Sequence, residues 1–211
     1  MDLSDLRRDF ALKTLDEKDV LPDPLAQFEV WFQEAVESKI LEPNAMNLST
    51  VGRDMKPSSR IVLLKQVKAE GFIFFTNYES RKAKQIEENE NVALTFLWNE
   101  LERQVRIEGI AEKISPRDSD SYFERRPQAS KLGAWASPQS EPIPDRKYLE
   151  NLMTEFEERF MDKEVNRPHN WGGYVVKPAL IEFWQGRQNR LHDRIQYSLS
   201  GGMWTIRRLA P

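Results

Sequence analysis

The sequence predicts a mainly β protein of the α+β class, in which an antiparallel barrel carries helices on its outside. Three observations favour this fold. Strand-like segments concentrate in two regions, roughly 47–106 and 173–208, with helical patterns before and between them. Short turn signals, such as Gly201-Gly202, separate neighbouring strands, as antiparallel hairpins require. Regular alternation of strand and helix is missing, which disfavours a doubly wound parallel sheet.

Helices are predicted where a capping residue precedes apolar residues at helical spacing. The predicted helices begin directly after Asp23, Ser80, Ser115 and Asp145. The helix after Ser115 should end near Arg126, because Pro127 follows and disfavours helical geometry in the residue before it. Residues 127–144, rich in Pro and Ser, should form a loop.

Strands are predicted where β-branched and aromatic residues form short runs between turn residues. They lie at 60–65, 71–76, 92–98, 104–109, 173–176, 180–184, 194–199 and 203–208. Residues 1–20 are charged and only weakly periodic, so we expect an N-terminal arm that could serve as a mobile lid. Residues 21–211 should form a single domain.

Composition narrows the classes of function. A net charge of −3 disfavours a general nucleic-acid binder, so an anionic ligand must be held by local cationic clusters. No run of about 18 apolar residues predicts a membrane span, and the acidic N-terminus does not resemble a secretory signal. The absence of cysteine fits a cytoplasmic location, and the two histidines lie too far apart in sequence to suggest a metal site.

Two clusters are candidates for holding phosphate. Arg60 and Lys65 stand five residues apart, so on one ideal strand they would point to opposite faces and could hold separate anions. Ser80-Arg81-Lys82 begins a predicted helix, where backbone N–H groups favour an anion and adjacent cations are otherwise unfavourable. Each cluster taken alone also fits ordinary solvated surface charge.

Two further clusters lie later in the chain. Tyr122 and Arg126 share a helix face, and Ser130 could join them as part of a phosphate-monoester site. Arg190, His192 and Arg194 would share one face if 190–194 is extended, and three such groups repel unless an anion or an electron-rich ring lies opposite. A surface pair and an exposed histidine are the alternative interpretations.

The segment 183–194 closely resembles the signature of the pyridoxine/pyridoxamine 5′-phosphate oxidase family. The resemblance continues at 60–65, 76–77, 80–82, 102–105, 122–123, 125–127, 133–135, 139–140, 171–173 and 208–211. It implies an FMN-binding split β-barrel, a homodimer with flavin mononucleotide (FMN) at the subunit interface, and oxidation of pyridoxine or pyridoxamine 5′-phosphate to pyridoxal 5′-phosphate. Oxygen would be the acceptor, with release of hydrogen peroxide, and of ammonia from the amine.

The resemblance also implies roles for individual residues. The implied flavin contacts are Arg60, Ile61, Val62, Leu63, Leu64, Lys65, Phe75, Thr76, Arg81, Lys82, Gln104, Gln139, Ser140, Trp184 and Arg194. The implied substrate contacts are Arg7, Phe10, Lys65, Tyr122, Arg126, Ser130, Arg190, Leu191 and His192. Arg190 and His192 are the expected catalytic residues, with Arg190 orienting the substrate and His192 assisting in orientation or proton movement.

One departure from the family pattern lies in the N-terminal arm. Family members often carry Arg-x-x-Tyr there, whereas this chain has Arg7 followed by Phe10, which keeps an aromatic ring and loses the hydroxyl. Three alternative functions are considered beside the oxidase. They are a related flavin oxidase acting on another ring system such as a phenazine precursor, a non-catalytic carrier of flavin or pyridoxal phosphate, and a nucleic-acid-binding barrel, which the acidity disfavours.

Overall fold

The computed structural model describes residues 1, 3 and 9–211. Five α-helices occur in this part: Pro24–Glu37 (α1), Arg81–Glu88 (α2), Pro116–Glu124 (α3), Gln128–Ala136 (α4) and Arg146–Arg159 (α5). Short 3-10 helices lie at Glu17–Asp19, Asn99–Leu101 and Gln188–Arg190. Within the described ranges, every helix is too short or too polar to cross a membrane.

The same residues form nine strands, and all their pairings are antiparallel. The strands are Ala45–Val51 (β1), Pro57–Leu63 (β2), Gln66–Lys68 (β3), Gly71–Asn77 (β4), Asn91–Trp98 (β5), Arg103–Lys113 (β6), Trp171–Gln185 (β7), Asp193–Ser200 (β8) and Met203–Leu209 (β9). Their main order is β2-β1-β5-β6-β7-β4-β3, and β8 with β9 extends from β7.

β7 divides the sheet into two branches. One edge of β7 pairs with β6 along nearly all of its length. The other edge pairs first with β4, from Trp171 to Val176, and then with β8, from Leu180 to Gln185. The sheet therefore forks along β7 into a β4 branch and a β8 branch, as expected for a barrel that is split rather than closed.

The fork coincides with an irregularity in β7. Pro178 lies between the segments that pair with β4 and β8. Proline has no backbone N–H to donate, and at this position neither branch needs one. The register with β6 shifts at the same level, where Gly109 faces Pro178 and Ala179 has no ladder partner. A Cβ on Gly109 would collide with the carbonyl oxygen of Lys177, so the bulge requires glycine there.

The main core lies between α1 and the curled sheet. Phe28 of α1 is fully buried, and its ring centroid lies 4.9 Å from that of Phe72, 5.0 Å from that of Phe96 and 6.1 Å from that of Trp98. A smaller apolar cluster, which includes Phe123, joins α3 and α4 to the start of β7. It holds these two helices over the end of β4.

The structure corrects several sequence predictions. The predicted loop 127–144 contains α4, because Pro127, which ends α3, also occupies the position that begins the next helix. The strands predicted at 173–176 and 180–184 are one strand, since Pro178 falls where it breaks no pairing. β1 was not predicted, because its weakly apolar sequence alternates between buried and partly exposed positions.

We predict that Phe28→Ala lowers the free energy of unfolding by about 3–5 kcal/mol, because it removes a fully buried ring that contacts four other rings. Urea denaturation followed by circular dichroism measures this. Val30→Ala, on the exposed side of the same helix, is the matched control and should change stability by less than about 0.5 kcal/mol. Equal effects of the two substitutions would contradict the position of the core.

Candidate functional site

A cavity of about 740 Å³ opens between β2, the end of β4 and the helices α2, α3 and α4. Its lining residues are Arg60, Ile61, Val62, Leu63, Lys65, Phe75, Thr76, Asn77, Lys82, Tyr122, Arg126, Pro127, Ser130, Gly133, Ala134, Ser137, Gln139 and Trp171. Four of these are cationic, and no carboxylate is among them. A concave surface whose charged side chains are all positive attracts anions, and its apolar side chains suit a ring.

Lys82 lies in the first turn of α2 and is buried. Its Nζ donates to Thr76 Oγ1 at 3.0 Å and to Gln139 Oε1 at 2.9 Å, both neutral acceptors. Burial, together with the charge of Arg60, lowers the pKa of Lys82 to about 8. Ser80 makes no side-chain cap on this helix, so the positive helix end and the ammonium both lack a negative partner among the described residues.

Arg60 is also held by neutral groups alone. Its guanidinium donates to Thr50 Oγ1 at 2.6 Å and to Ser58 Oγ at 2.7 Å. Both hydroxyls donate in turn to Oε1 of the buried Gln85. Burial, and secondly the charge of Arg81, lowers the pKa of Arg60. Its orientation is therefore fixed while its charge stays available for a ligand.

Arg126 lines the cavity from the connection between α3 and α4. Its guanidinium carbon lies 4.4 Å from the ring centroid of Trp171, and Nη1 is buried with no hydrogen-bond partner. A buried N–H without a partner costs about 1–3 kcal/mol, which an anionic ligand would remove. Tyr122 stacks on Phe75 with 3.8 Å between centroids and presents its hydroxyl beside the same cavity.

One face of α4 completes this side of the cavity. Ser130, Gly133, Ala134 and Ser137 follow the helical spacing of three and four residues, and all line the cavity. A Cβ added to Gly133 would meet no atom and would reach into open space. Of these four residues, only Ser130 was predicted from the sequence to be a binding residue. The spacing would have indicated the other three had α4 been recognised as a helix.

Lys65 lines the same cavity as Arg60, so the prediction that they face opposite sides was wrong. β2 ends at Leu63, and the chain turns before Lys65, which removes the alternation on which that prediction rested. The side chain of Leu64 packs into the main core instead. Arg81 and Ser140 do not line this cavity and instead line a second one of about 540 Å³, which runs along α2.

The remaining predicted residues form a second group on the β8 branch. Gln104, Trp184 and Arg194 are directly cross-strand neighbours on β6, β7 and β8. His192 packs on Trp184 with 4.5 Å between centroids, and Phe10 meets both rings edge-on at 5.9 Å. We call Phe10, Gln104, Trp184, His192 and Arg194 the aromatic row. None of them lines the cavity.

The segment before β8 is not extended, so the predicted shared face of Arg190, His192 and Arg194 was wrong. Residues Gln188–Arg190 form a 3-10 turn, and Asn189 and Arg190 have positive φ angles of 57° and 61°. Arg190 and Leu191 are exposed. Arg194 makes a two-pronged ion pair with the buried Glu182, with both N–O distances 2.9 Å. Arg7 lies outside the described residues.

His192 has a defined tautomer in its neutral form. The backbone N–H of Arg187 donates to His192 Nδ1 at 3.1 Å, so the ring proton must reside on Nε2. Burial, and then the charge of Arg190, lowers the pKa of His192, which favours the neutral form near pH 7. His192 can therefore donate a hydrogen bond through Nε2.

The forked antiparallel sheet and its cationic cavity define a split-barrel protein with a site that suits an anionic ligand. A family model described as pyridoxamine 5′-phosphate oxidase matches residues 32–160. A second, described as the pyridoxine 5′-phosphate oxidase C-terminal dimerisation region, matches residues 171–211. The chain belongs to the pyridoxine/pyridoxamine 5′-phosphate oxidase family.

Individual relatives agree with this assignment. The chain is 54% identical to the pyridoxine/pyridoxamine 5′-phosphate oxidase of Cyanothece sp., over 99% of this chain and 98% of the relative. It is 53% identical to that of Aliarcobacter butzleri over the whole of both chains. PhzG from Burkholderia lata, solved with tetrahydrophenazine-1-carboxylic acid, has a TM-score of 0.89 and 27% identity, covering 95% of this chain and 99% of PhzG.

The fold alone is shared with a more distant protein. An FMN-binding protein of Nostoc punctiforme, related to pyridoxamine 5′-phosphate oxidase, superposes with a TM-score of 0.72 and 16% identity. The match covers 90% of this chain and 98% of that protein. The split-barrel fold class predicted through the family resemblance is therefore confirmed.

We predict that phosphate-monoester affinity falls as pH rises through about 8. Lys82 has its pKa lowered to about 8 in the free protein, and a bound dianion favours the charged form. Below that pH the ammonium is already charged, whereas above it binding must take up a proton, which weakens affinity by up to about tenfold per pH unit. Calorimetric titration with phenyl phosphate between pH 7 and 9.5 measures the dependence.

Two matched variants test the assignment to Lys82. Lys82→Met should weaken binding at pH 7 and remove most of the dependence above it. Lys84→Met, an exposed lysine of the same helix that pairs with Glu141, should keep the dependence. A flat profile in the unmodified protein would place the Lys82 ammonium outside the anion site.

Proposed function

We propose that this protein oxidises pyridoxine 5′-phosphate and pyridoxamine 5′-phosphate to pyridoxal 5′-phosphate, with FMN as cofactor and oxygen as acceptor. Hydrogen peroxide is released, and ammonia is released from the amine substrate. The observation that carries the proposal is the cavity itself, in which four cationic side chains face one space without a carboxylate. Such a site suits two phosphate-bearing molecules held side by side.

We divide the four cations into two sets, one for each phosphate. Arg60 and Lys82 stand at the N-terminus of α2, and we assign the FMN phosphate to them, with Arg81 and Ser140 in the adjoining cavity. The residues fit this group, because Lys82 and the helix end need an anion and meet only neutral acceptors. When bound, FMN supplies hydride acceptance and reaction with oxygen.

We assign the substrate phosphate to the other set, formed by Lys65, Tyr122, Arg126 and Ser130. Arg126 Nη1 lacks a partner, and the N-terminus of α4 begins two residues after it. Phe75 stacks beneath Tyr122 and closes this end with an apolar surface. These groups would hold the substrate's ring at a fixed orientation to the flavin ring, which is the protein's main contribution to the rate.

We propose that the active site is completed across a homodimer. The cavity lies between β2 and the end of β4, whereas the aromatic row lies beside the β8 branch and does not line that cavity. The segment matching the dimerisation-region model, 171–211, contains most of the row. Ile61 at the cavity and Leu191 beside His192 are 66% and 68% exposed, as expected for residues that become covered in a dimer.

In this arrangement Arg190, Leu191 and His192 of one subunit cover the substrate held by the other. Arg190 supplies positive charge at the substrate and favours developing negative charge. His192 acts as a hydrogen-bond donor through Nε2, because Arg187 occupies Nδ1. A single domain over 21–211 and a cytoplasmic location stay predictions.

We predict that anaerobic addition of pyridoxine 5′-phosphate bleaches the flavin absorbance of the FMN-loaded protein. Admission of air should restore the absorbance and release one peroxide for each aldehyde formed. Stopped-flow absorbance and a coupled peroxide assay measure these outcomes. Protein that binds FMN but is not bleached would be a carrier, and protein that stays colourless with FMN would refute the proposal.

We predict that Arg126→Ala weakens substrate binding by about 1.5–3 kcal/mol, the range for a hydrogen bond to a charged group. FMN retention should change little, because Arg126 belongs to the other set of cations. Steady-state KM and flavin fluorescence measure the two effects. Arg125→Ala is the matched control, since Arg125 is the exposed neighbour and does not line the cavity. An unchanged KM in Arg126→Ala would refute the phosphate assignment.

A phenazine-type ring is the second candidate substrate, because PhzG shares the fold closely and was solved with a tetrahydrophenazine. The cavity favours the phosphorylated substrate, since Lys65 and Arg126 would otherwise face a neutral ring with no anion between them. Turnover of pyridoxine 5′-phosphate compared with unphosphorylated rings distinguishes the two. Faster turnover of an unphosphorylated ring would favour the alternative.

A further inference from the structure

Glu102 holds the backbone of the N-terminal arm. Its Oε2 accepts hydrogen bonds from Ala11 N at 2.8 Å and from Leu12 N at 3.0 Å, residues about 90 positions away in sequence. Glu102 is only 4% exposed and has a positive φ of 53°. A buried, strained carboxylate is costly unless it has a specific role, and these two hydrogen bonds tie its side chain to the arm.

The main chain of Glu102 is anchored on β7. Its carbonyl oxygen accepts from Gly186 N at 2.7 Å and from the buried Gln185 Nε2 at 3.2 Å. These hydrogen bonds fix the main chain of Glu102 and so limit the positions that its carboxylate can take. Hydrogen bonds from two successive N–H groups to one carboxylate oxygen fix the direction of the arm at this point.

The residue just before these N–H groups is Phe10, which contacts the aromatic row. Its ring lies edge-on to Trp184 and His192, with 5.9 Å between centroids in both cases. A Cβ on Gly186 would lie 2.8 Å from Phe10 Cβ and Cγ and 3.1 Å from Glu102 Cβ. Phe10 and Glu102 therefore both pack against Gly186, and only glycine at position 186 lets the Phe10 side chain approach the backbone so closely.

A second, separate attachment holds the arm further along. Leu15 N donates to Asp193 Oδ2 at 3.1 Å, and Arg208 Nη2 donates to Leu15 O at 3.0 Å. Arg208 also forms an ion pair with Glu17 at 2.7 Å. Between the two attachments, Lys13 makes a partly exposed ion pair with Glu34 at 2.6 Å, and such pairs add little stability. Loss of the Glu102 contact would therefore loosen the chain around residues 10–14 and leave residues 15–17 in place.

We propose that Glu102 is a positioning residue that latches the N-terminal arm so that Phe10 lies against Trp184 and His192 and forms part of the substrate enclosure. Glu102 does not itself need to touch substrate or cofactor. The effect of this latch on turnover rests on the proposed function, whereas the attachment of the arm by Glu102 does not. The two can therefore fail separately.

The test compares Glu102→Gln with the unmodified full-length protein, both loaded with FMN. Limited trypsin digestion followed by mass spectrometry reports cleavage after Lys13, which is exposed but lies within the latched segment. We expect this cleavage to accelerate about tenfold, equivalent to about 1.4 kcal/mol of docking free energy. Cleavage after Lys18, beyond the second attachment, should not change.

Kinetics separate positioning from a general structural effect. Glu102→Gln should raise KM for pyridoxine 5′-phosphate several-fold and change kcat by less than about twofold, because the enclosure is loosened while the reacting groups remain. In a Phe10→Ala background the same substitution should add little, since Glu102 then has no ring to position. Glu112→Gln, which removes a half-buried carboxylate of β6 paired with Lys177, is the matched control.

A second variant leaves the Glu102 carboxylate intact. Gly186→Ala should displace Phe10 and open the arm, so it should also accelerate cleavage after Lys13. Unchanged cleavage after Lys13 in Glu102→Gln, or an equal rise of KM with and without Phe10, would overturn the inference. If neither the unmodified protein nor any variant turns over pyridoxine 5′-phosphate but the cleavage pattern is as expected, the proposed function fails and the proposed role of Glu102 in holding the arm stands.

Discussion

The divided pairing of β7 is the constraint on which the site depends. A strand of 15 residues pairs with β6 along one edge, while β4 and β8 share the other edge. Pro178 and the bulge opposite Gly109 mark the division, since neither branch needs the missing N–H. The cavity lies between β2 and the end of β4, whereas the aromatic row lies beside the β8 branch.

The cations in the cavity are oriented without being neutralised. Arg60 is held by hydroxyl groups that rest on Gln85, and Lys82 is held by Thr76 and Gln139. Neutral acceptors fix the geometry of a charged group, but leave its charge for a ligand, and the lowered pKa of Lys82 reflects that imbalance. By contrast, Arg194 is already paired with Glu182, so it adds little free charge to the β8 branch.

Local sequence patterns were sufficient for much of the fold and for part of the site. The capped starts after Asp23, Ser115 and Asp145 are confirmed, because the cap hydrogen bonds involve residues two or three positions away. The convergence of Arg60, Lys65 and Arg126 on one cavity could not be predicted from spacing, since a turn after β2 and the packing of α3 and α4 bring them together. Gly133 and Ser137 were missed because the segment that contains α4 was predicted to be a loop.

The amino-acid sequence by itself determined the helix starts, most strands and, through its ordered family motifs, the membership of an oxidase family. These depend on short-range hydrogen bonds and on side-chain chemistry carried by the residues themselves. Only the tertiary structure decided which cations share a cavity, that His192 carries its proton on Nε2, and that Glu102 holds residues some 90 positions away. Those features arise from contacts between distant segments, whose relative positions are set by packing around β7.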